Sequence, residues 1–96
     1  MKPLLLTVDS GNTNIKWGLH DGSGWLNRGA VAQGNKALLE QDWKDIREPA
    51  CIIVSNVASM QAKSDLSELL SRWKAEPQNA KPGVLVLPVY EPQEVF

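Results

Sequence analysis

The sequence is poor in cysteine and histidine, with one residue of each, Cys51 and His20. A single thiol cannot form a disulfide within one chain, and Cys51 stands inside the apolar run 50–54, where a small buried side chain is expected. His20 lies beside a turn without a second ligand at metal-binding spacing, so we expect a structural role for it. These scarcities disfavour a disulfide-stabilised secreted domain and a histidine-based metal centre.

An excess of positive charge is also missing, since 10 Lys and Arg residues face 11 Asp and Glu residues and leave a formal net charge of -1. Such a chain has no broad positive field for a nucleic-acid backbone. The apolar start at 4–6 gives way to Thr7 and Asp9 before it reaches signal-peptide length, and no run approaches a membrane span. We therefore expect no nucleic-acid partner, no membrane partner and a cytoplasmic location.

The size and apolar content favour one small folded domain. The chain has 96 residues, of which 43% are hydrophobic and 22% charged. These values are ordinary for a globular domain and leave room for only a thin core. We expect residues 1–96 to form a single domain.

Three strands are predicted in the first third of the chain, at 4–9, Asn14–His20 and Trp25–Ala32. The first is nearly all apolar, as in a strand buried on both faces, and tight turns join the three into an antiparallel meander. At Gly18 the alternation shifts, which indicates a bulge or a close backbone approach. Trp17 and Trp25 can pack in this meander or rim a ligand cleft.

The remaining pattern alternates helix and strand. A helix is predicted over 35–47, with Leu38, Leu39, Trp43 and Ile46 at helical spacing. A buried parallel strand follows at 50–57, then a helix that Ser59 can cap and that ends before 76–77. A polar connection at 78–83 leads to a last strand candidate at 84–87. The order βββαβα(β), a mixed α/β sheet with a three-stranded antiparallel meander, is that of the ribonuclease H-like domain of the actin and sugar-kinase ATPases.

The turn between the first two strands has the composition of a phosphate-binding loop. Gly11 allows close approach, while Asn12, Thr13 and the backbone N–H groups can donate hydrogen bonds to phosphate oxygens. A carboxylate at the end of an apolar strand, Asp9, needs a partner, for which a magnesium ion held through water is suitable. Lys16 can lie near the phosphates or turn to solvent.

An ordinary hairpin turn explains the same residues differently. Gly11 and Asn12 would then serve a turn with positive φ, and Asp9 would accept hydrogen bonds from turn amides. Ser55 and Asn56, at the end of the predicted parallel strand, either have a secondary polar role in a ligand site or none. Spacing alone leaves these alternatives open.

Residues 9–18 resemble the first phosphate motif, D-x-G-N-T-x-x-K-x-G, of type III pantothenate kinases, the group that includes the Bvg accessory factor proteins. The Ser55-Asn56-Val57-Ala58 segment is similar to the S-N-V-A segment of that family, and the likeness covers about residues 4 to 76. The resemblance implies that ATP phosphates bind at Asp9, Ser10, Gly11, Asn12, Thr13, Asn14, Ile15 and Lys16, with Mg2+ near Asp9.

The resemblance further implies transfer of the γ-phosphoryl group of ATP to pantothenate, the first step of coenzyme A synthesis. It also implies a monovalent cation, K+ or NH4+, and a homodimer in the intact protein. The aspartate that serves as catalytic base in the family stands in a Gly-Ala-Asp-Arg motif, which this sequence lacks. We therefore expect this chain to be the amino-terminal, ATP-binding domain of such a kinase and to be incomplete as a catalyst. It should bind pantothenate only when the second half of the kinase is supplied. A non-catalytic nucleotide-binding or regulatory module and an inactive structural fragment are the alternatives.

Overall fold

The computed structural model describes residues 2–80, which form one five-stranded sheet and two helices. Apolar runs supply the central strands, and the helices carry their apolar residues at a spacing of three to four. The elements are β1 (Leu5–Ser10), β2 (Asn14–His20), β3 (Trp25–Ala32), α1 (Lys36–Trp43), β4 (Cys51–Asn56), α2 (Met60–Leu70) and β5 (Pro77–Asn79).

The strand order is β3-β2-β1-β4-β5, with β1 at the centre. Strand β1 pairs antiparallel with β2 and parallel with β4, so tight turns join the first three strands and helical crossovers join the rest. This arrangement confirms the predicted meander and the predicted parallel strand, and it is the ribonuclease H-like fold. None of the helices in the described part of the chain is long and apolar enough to cross a bilayer.

One face of the sheet and the two helices enclose the core. Alternate residues of the strands contribute to it, and the helices add their buried leucines and Trp43. Burying such side chains is the main favourable contribution to the free energy of folding. The core comprises Leu4, Leu6, Val8, Ile15, Trp17, Leu19, Val31, Leu39, Trp43, Ile52, Val54, Leu66, Leu69 and Leu70.

Two tryptophans of the meander lie against glycines of the neighbouring strand. A Cβ atom at Gly29 would stand 2.6 Å from Nε1 of Trp17, and one at Gly18 would stand 2.5 Å from the ring of Trp25. The close approach predicted at Gly18 is therefore confirmed, while the irregularity in the β2–β3 pairing falls just after it, between Leu19 and His20. Trp17 belongs to the core, so it does not rim a cleft.

His20 has the structural role expected for it. Its ring packs edge-on against Trp25 with centroids 4.7 Å apart, and its Nδ1 accepts a hydrogen bond from the Gly22 N–H at 3.0 Å. In the same turn, the N–H groups of Ser23 and Gly24 donate to Asp21 and hold the pKa of its carboxyl below the usual value. The β2–β3 turn is thus fixed by its own side chains.

Capping residues and ion pairs organise the helices. Asn35 caps α1 by accepting a hydrogen bond from the Leu38 N–H, and Ser59 caps α2 as predicted, accepting from the Ala62 N–H at 3.2 Å. Lys36 of α1 forms an ion pair with Glu68 of α2 at 2.6 Å, and this hydrogen bond raises the pKa of Lys36. The two helices are therefore linked at the surface as well as through the core.

Three predicted boundaries are wrong. Helix α2, predicted to end just before 76–77, ends at Leu70, and the Trp73 N–H bonds to the Leu70 carbonyl three residues back. Helix α1 ends at Trp43 instead of position 47, because the Lys44 N–H bonds to the Gln41 carbonyl three residues back and tightens the last turn. The segment Pro77–Asn79, which overlaps the start of the polar connection predicted at 78–83, pairs parallel with β4. Backbone hydrogen bonds form this edge strand, so it needs no apolar residues, and proline is allowed as its first residue. The strand candidate at 84–87 lies outside the described residues.

Candidate nucleotide-binding site

The predicted phosphate residues gather where the central strand ends. In the strand register Asp9 lies opposite Lys16 of β2 and opposite Ser55 of β4. Because residues that pair across strands share a face of the sheet, these three side chains form a row, here called the Asp9 row. The row lies on the face opposite to the core residues Val8 and Trp17. One edge of the sheet thus carries a carboxylate, an ammonium and a hydroxyl side by side.

The side chain of Asp9 is largely buried and has no hydrogen-bond or ion-pair partner within the part of the chain that the structure describes. Asp9 is 7% exposed, yet the hydrogen bonds and ion pairs among residues 2–80 do not include its side chain. Burying a carboxylate without compensation costs free energy, so such groups normally pair with a cation or with hydrogen-bond donors. The position is therefore suited to a ligand that brings positive charge.

The tip of the hairpin offers hydrogen-bond donors that the fold does not use. Asn12 and Thr13 are exposed, and no hydrogen bond within residues 2–80 uses their N–H groups or side chains as donors. The Gly11 N–H is already bound to the Asn14 carbonyl at 2.9 Å. Free donors at a tight turn beside a carboxylate provide the two kinds of group that a magnesium-bound phosphate requires.

The ordinary-turn explanation fails for Gly11 and Asn12. Among the described residues positive φ occurs only at Gly22 and Gly34, so neither residue of the tip is needed for a left-handed conformation. A Cβ atom on Gly11 would meet nothing closer than the Asn14 carbonyl oxygen at 3.5 Å, an ordinary contact. Asp9 accepts no turn amide either. Neither the backbone nor the packing of this chain therefore explains the glycine.

A second row of residues connects the hairpin to β4. Ser10 lies opposite Ile15 and Asn56, and its carbonyl accepts a hydrogen bond from the Val57 N–H at 3.0 Å. The side chain of Ile15 is buried in the core, so only its backbone can face a ligand. The side-chain Oδ1 of Asn56 accepts a hydrogen bond from the Ala58 N–H at 3.2 Å and so shapes the turn into α2. Asn14 is exposed beside the tip.

A residue that the sequence analysis did not single out, Gln33, contacts this hairpin directly. Its side-chain amide nitrogen donates to the Ser10 hydroxyl at 2.9 Å and to the Gly11 carbonyl at 2.7 Å. Its backbone N–H donates to the Thr13 carbonyl at 2.8 Å. A single glutamine after a strand carries no periodic signal. The signal that could have found Gln33 is the strand register: with Asn14 of β2 opposite Ala32 of β3, the next residue, Gln33, lies beside the tip.

The residues that the structure describes include no cluster of three or more His, Cys, Asp or Glu side chains able to hold a metal ion. Magnesium does not require one, because it commonly keeps most of its waters and binds through one or two carboxylates together with substrate phosphates. The single buried carboxylate of Asp9 fits that coordination.

The sequence matches a family of known proteins. A sequence model of the family described as type III pantothenate kinase matches residues 5–94. The chain belongs to this family. The match includes the Asp9 row, the hairpin tip and the segment after β4 that carried the resemblance.

Relatives in the family cover the same region. Type III pantothenate kinase from Nitrosospira multiformis is 60% identical over 78 residues, which are 81% of this chain and 30% of the relative. That from Nitrosomonas eutropha is 49% identical over 74 residues, 76% of this chain and 29% of the relative. The matches fall in the amino-terminal part of these kinases. The chain therefore spans about 30% of the length of the curated relatives that it matches.

A solved structure supports the fold. The crystal structure of the Aquifex aeolicus member of the Ppx/GppA protein family superposes with a TM-score of 0.52 over 83% of this chain and 35% of that chain, at 10% sequence identity. At this identity the likeness concerns the fold alone. It agrees with the ribonuclease H-like topology of the kinase family.

Proposed function

We propose that the chain is the nucleotide-binding domain, residues 1–96, of a type III pantothenate kinase. In this proposal the hairpin from Asp9 to Lys16 holds the phosphates of ATP. The reaction of the whole protein is the transfer of the γ-phosphoryl group to pantothenate, the first step of coenzyme A synthesis. The chain supplies the ATP side of that reaction, and pantothenate binds when the remainder of the kinase is present.

The observation that carries the proposal is the largely buried Asp9, whose carboxylate has no partner among residues 2–80 and lies beside the exposed tip of the hairpin. A fold tolerates a largely buried carboxylate where a ligand compensates its charge. The neighbouring Lys16 lies on the same face and adds a positive charge. Together with the free donors of Asn12 and Thr13, the arrangement matches a phosphate chain and its cation.

Each residue has a distinct task in this proposal. Asp9 accepts hydrogen bonds from the waters of Mg2+, which supplies charge neutralisation of the phosphates when bound. Asn12 and Thr13 donate hydrogen bonds to phosphate oxygens, and Gly11 leaves room for them. Ser55 and Asn56 line the neighbouring strand end, where they assist as secondary polar contacts.

The proposal includes the finer properties implied by the family. These are use of Mg2+ and of a monovalent cation, K+ or NH4+, a homodimer in the intact protein, and a cytoplasmic location. Phosphoryl transfer relies on positioning both substrates and a base, so the ATP side alone is not sufficient for turnover.

Titration of the 15N-labelled chain with Mg·ATP, followed by NMR, tests the proposal. We expect saturable chemical-shift changes centred on Gly11, Asn12 and Thr13. The affinity should be weak, because this chain supplies only the ATP side of the complete active site. ATP with excess EDTA should bind much less, since the Asp9 carboxylate then faces the phosphates without a cation. Absence of saturable shifts near the hairpin would contradict the proposal.

Substituting Gly11→Ala should weaken Mg·ATP binding by about tenfold, a loss of about 1.4 kcal/mol, because a methyl group would occupy the approach of the phosphates. Stability should change by less than about 1 kcal/mol, since the new Cβ atom meets only an ordinary contact at 3.5 Å. Gly24→Ala, in the β2–β3 turn with no atom within 4 Å of the new Cβ, is the matched control. Equal affinities of the two variants would show that phosphates do not approach Gly11.

The chain alone should form no ADP from Mg·ATP and pantothenate above the rate without protein. A chimera that joins this chain to the remainder of the Nitrosospira multiformis relative, 60% identical in the matched region, should form ADP in a pantothenate-dependent manner. The intact relative is the positive control, and a thermal melt confirms that the chimera folds. Turnover by the chain alone would contradict the proposal that this chain supplies only the ATP side of the reaction. A folded chimera that binds Mg·ATP without turnover would also contradict the proposal and would favour a non-catalytic module.

A further inference from the structure

Gln33 lies just after β3 and reaches across two strands of the meander. Its side chain is half-buried, and its amide nitrogen contacts Ser10 and Gly11 on the first side of the hairpin tip. Its backbone N–H contacts the Thr13 carbonyl on the second side. One residue therefore holds both sides of a tip that is four residues long, from Gly11 to Asn14.

The side chain uses both of its donor hydrogens on the hairpin. A primary amide nitrogen has two N–H donors, and the two recorded acceptors are the Ser10 hydroxyl and the Gly11 carbonyl. The amide oxygen accepts from the Gly34 N–H at 3.2 Å, which fixes the orientation of the amide group. The amide nitrogen therefore has no donor left to contact a ligand, and it acts through the hairpin.

The backbone of the tip gains little order from other contacts. Within the described residues, its hydrogen bonds outside the strand ladder are the Gly11–Asn14 bond and those to Gln33. A loop that is ordered before its ligand arrives loses less entropy on binding, which improves affinity without a new contact to the ligand. Removing the side chain leaves the backbone bond from Gln33 to Thr13 in place, so the role of the amide can be measured separately.

We propose that Gln33 is a positioning residue of the nucleotide site, which holds the hairpin in the conformation that receives phosphates. The inference rests on the proposed function, because it assigns Gln33 a task at the same site. The polar contact that orders the tip comes from the segment just after the third strand of the meander, outside the motif that identified the site. The Gln33 side chain thereby sets the conformation of the hairpin and, through it, the affinity for phosphates.

The test compares Gln33→Met, which keeps the length of the side chain and lacks donors, with Gln33→Glu, which keeps an oxygen for Gly34 and turns an acceptor toward the Gly11 carbonyl. Both variants should bind Mg·ATP about tenfold more weakly than the parent chain. Inorganic Mg·triphosphate should lose affinity by the same factor, since the hairpin holds phosphates and not the nucleoside. Asn27→Ala, which removes an exposed amide from β3, is the control and should bind as the parent does.

Amide hydrogen exchange gives a readout that a merely structural role would not change. At a temperature where melting curves show all variants folded, exchange at Gly11 should quicken in Gln33→Met while core amides such as that of Val8 stay protected. Parent-like affinity in a folded Gln33→Met chain that binds Mg·ATP would overturn the assignment of Gln33 alone. Uniformly faster exchange, at core amides as well as at Gly11, would show that Gln33 has a general structural role and would overturn its assignment as a positioning residue. A parent chain that binds neither probe would overturn the proposed function and this inference with it.

Discussion

Replacing Asp9 with alanine should greatly weaken Mg-dependent ATP binding while making the free chain more stable. We expect the Mg·ATP affinity to fall by about a hundredfold, the upper part of the range for losing a group that orients a metal site. The reason is that Asp9 supplies the one carboxylate that the Asp9 row offers to the cation. Calorimetric titration with Mg·ATP, with and without excess EDTA, measures both the affinity and its dependence on magnesium.

The gain in stability follows from the burial of Asp9. Asp9 is 7% exposed and its side chain has no hydrogen-bond or ion-pair partner among residues 2–80, so the folded state hydrates this charge less fully than the unfolded chain does. Removing it should raise the free energy of unfolding by about 1 kcal/mol, as is common where function and stability conflict. Thermal melts of the parent, Asp9→Ala and Asp9→Asn measure this change. The asparagine variant should gain less, because a buried amide also lacks partners.

Asp45→Ala is the matched control, because Asp45 is exposed and lies after α1, away from the sheet edge. It removes the same charge and should change neither affinity nor stability appreciably. If Asp9→Ala kept the parent's Mg·ATP affinity, the cation would be held elsewhere. If Asp9→Ala were strongly destabilised, the Asp9 carboxylate would contribute to the stability of the fold, and the argument from its burial would fail.

The sheet was predictable where residues are buried on one or both faces. Strands β1 and β4 are central and nearly continuous in apolar residues, and β2 alternates, so the periodicity of burial was visible in the sequence. The edge strand β5 was missed because its three residues are all exposed and its pairing uses backbone groups alone. Backbone pairing without side-chain burial leaves no pattern in a sequence.

The candidate site was only partly predictable. Asp9, Gly11, Asn12 and Thr13 form a contiguous motif, and the resemblance to a kinase family gave it a meaning that spacing had left open. The structure added the burial of Asp9 and removed positive φ as a reason for Gly11. Gln33 was missed because its contact with Ser10 spans 23 residues along the chain. Contacts of this kind depend on strand register, which a local motif does not contain.

The largest effect on stability is expected at Trp43, whose side chain joins α1 to the sheet. It is 1% exposed and packs edge-on against Trp17 of β2 and at a tilt against Trp73, with ring centroids 6.2 and 5.7 Å apart. Trp43→Ala should lower the free energy of unfolding by about 3–5 kcal/mol. That is a large share of the about 5–14 kcal/mol available to a chain of this size, and the melting temperature should fall by about 20 °C.

Two variants test the physical reason. Leu38→Ala, on the same helix at a side chain that is 41% exposed, should cost less than about 1 kcal/mol. Trp43→Phe should be milder than alanine, because it keeps an aromatic ring in the cluster and removes the Nε1–H group, which is buried and has no hydrogen-bond partner among residues 2–80. Equal losses from Leu38→Ala and Trp43→Ala would contradict the packing of α1 on the sheet.

Trp43→Ala should also weaken Mg·ATP binding, through the segment that leads from the hairpin to α1. Asn35 caps α1 two residues after Gln33, so a helix that detaches from the core loosens the turn that holds Gln33 against Ser10 and Gly11. Affinity and melting temperature should therefore fall together in Trp43→Ala, whereas in Asp9→Ala the affinity falls as the melting temperature rises. Chemical-shift titration with Mg·ATP, at a temperature where both variants are folded, measures the two affinities for this comparison. Undiminished affinity in Trp43→Ala would show that the hairpin is ordered independently of α1.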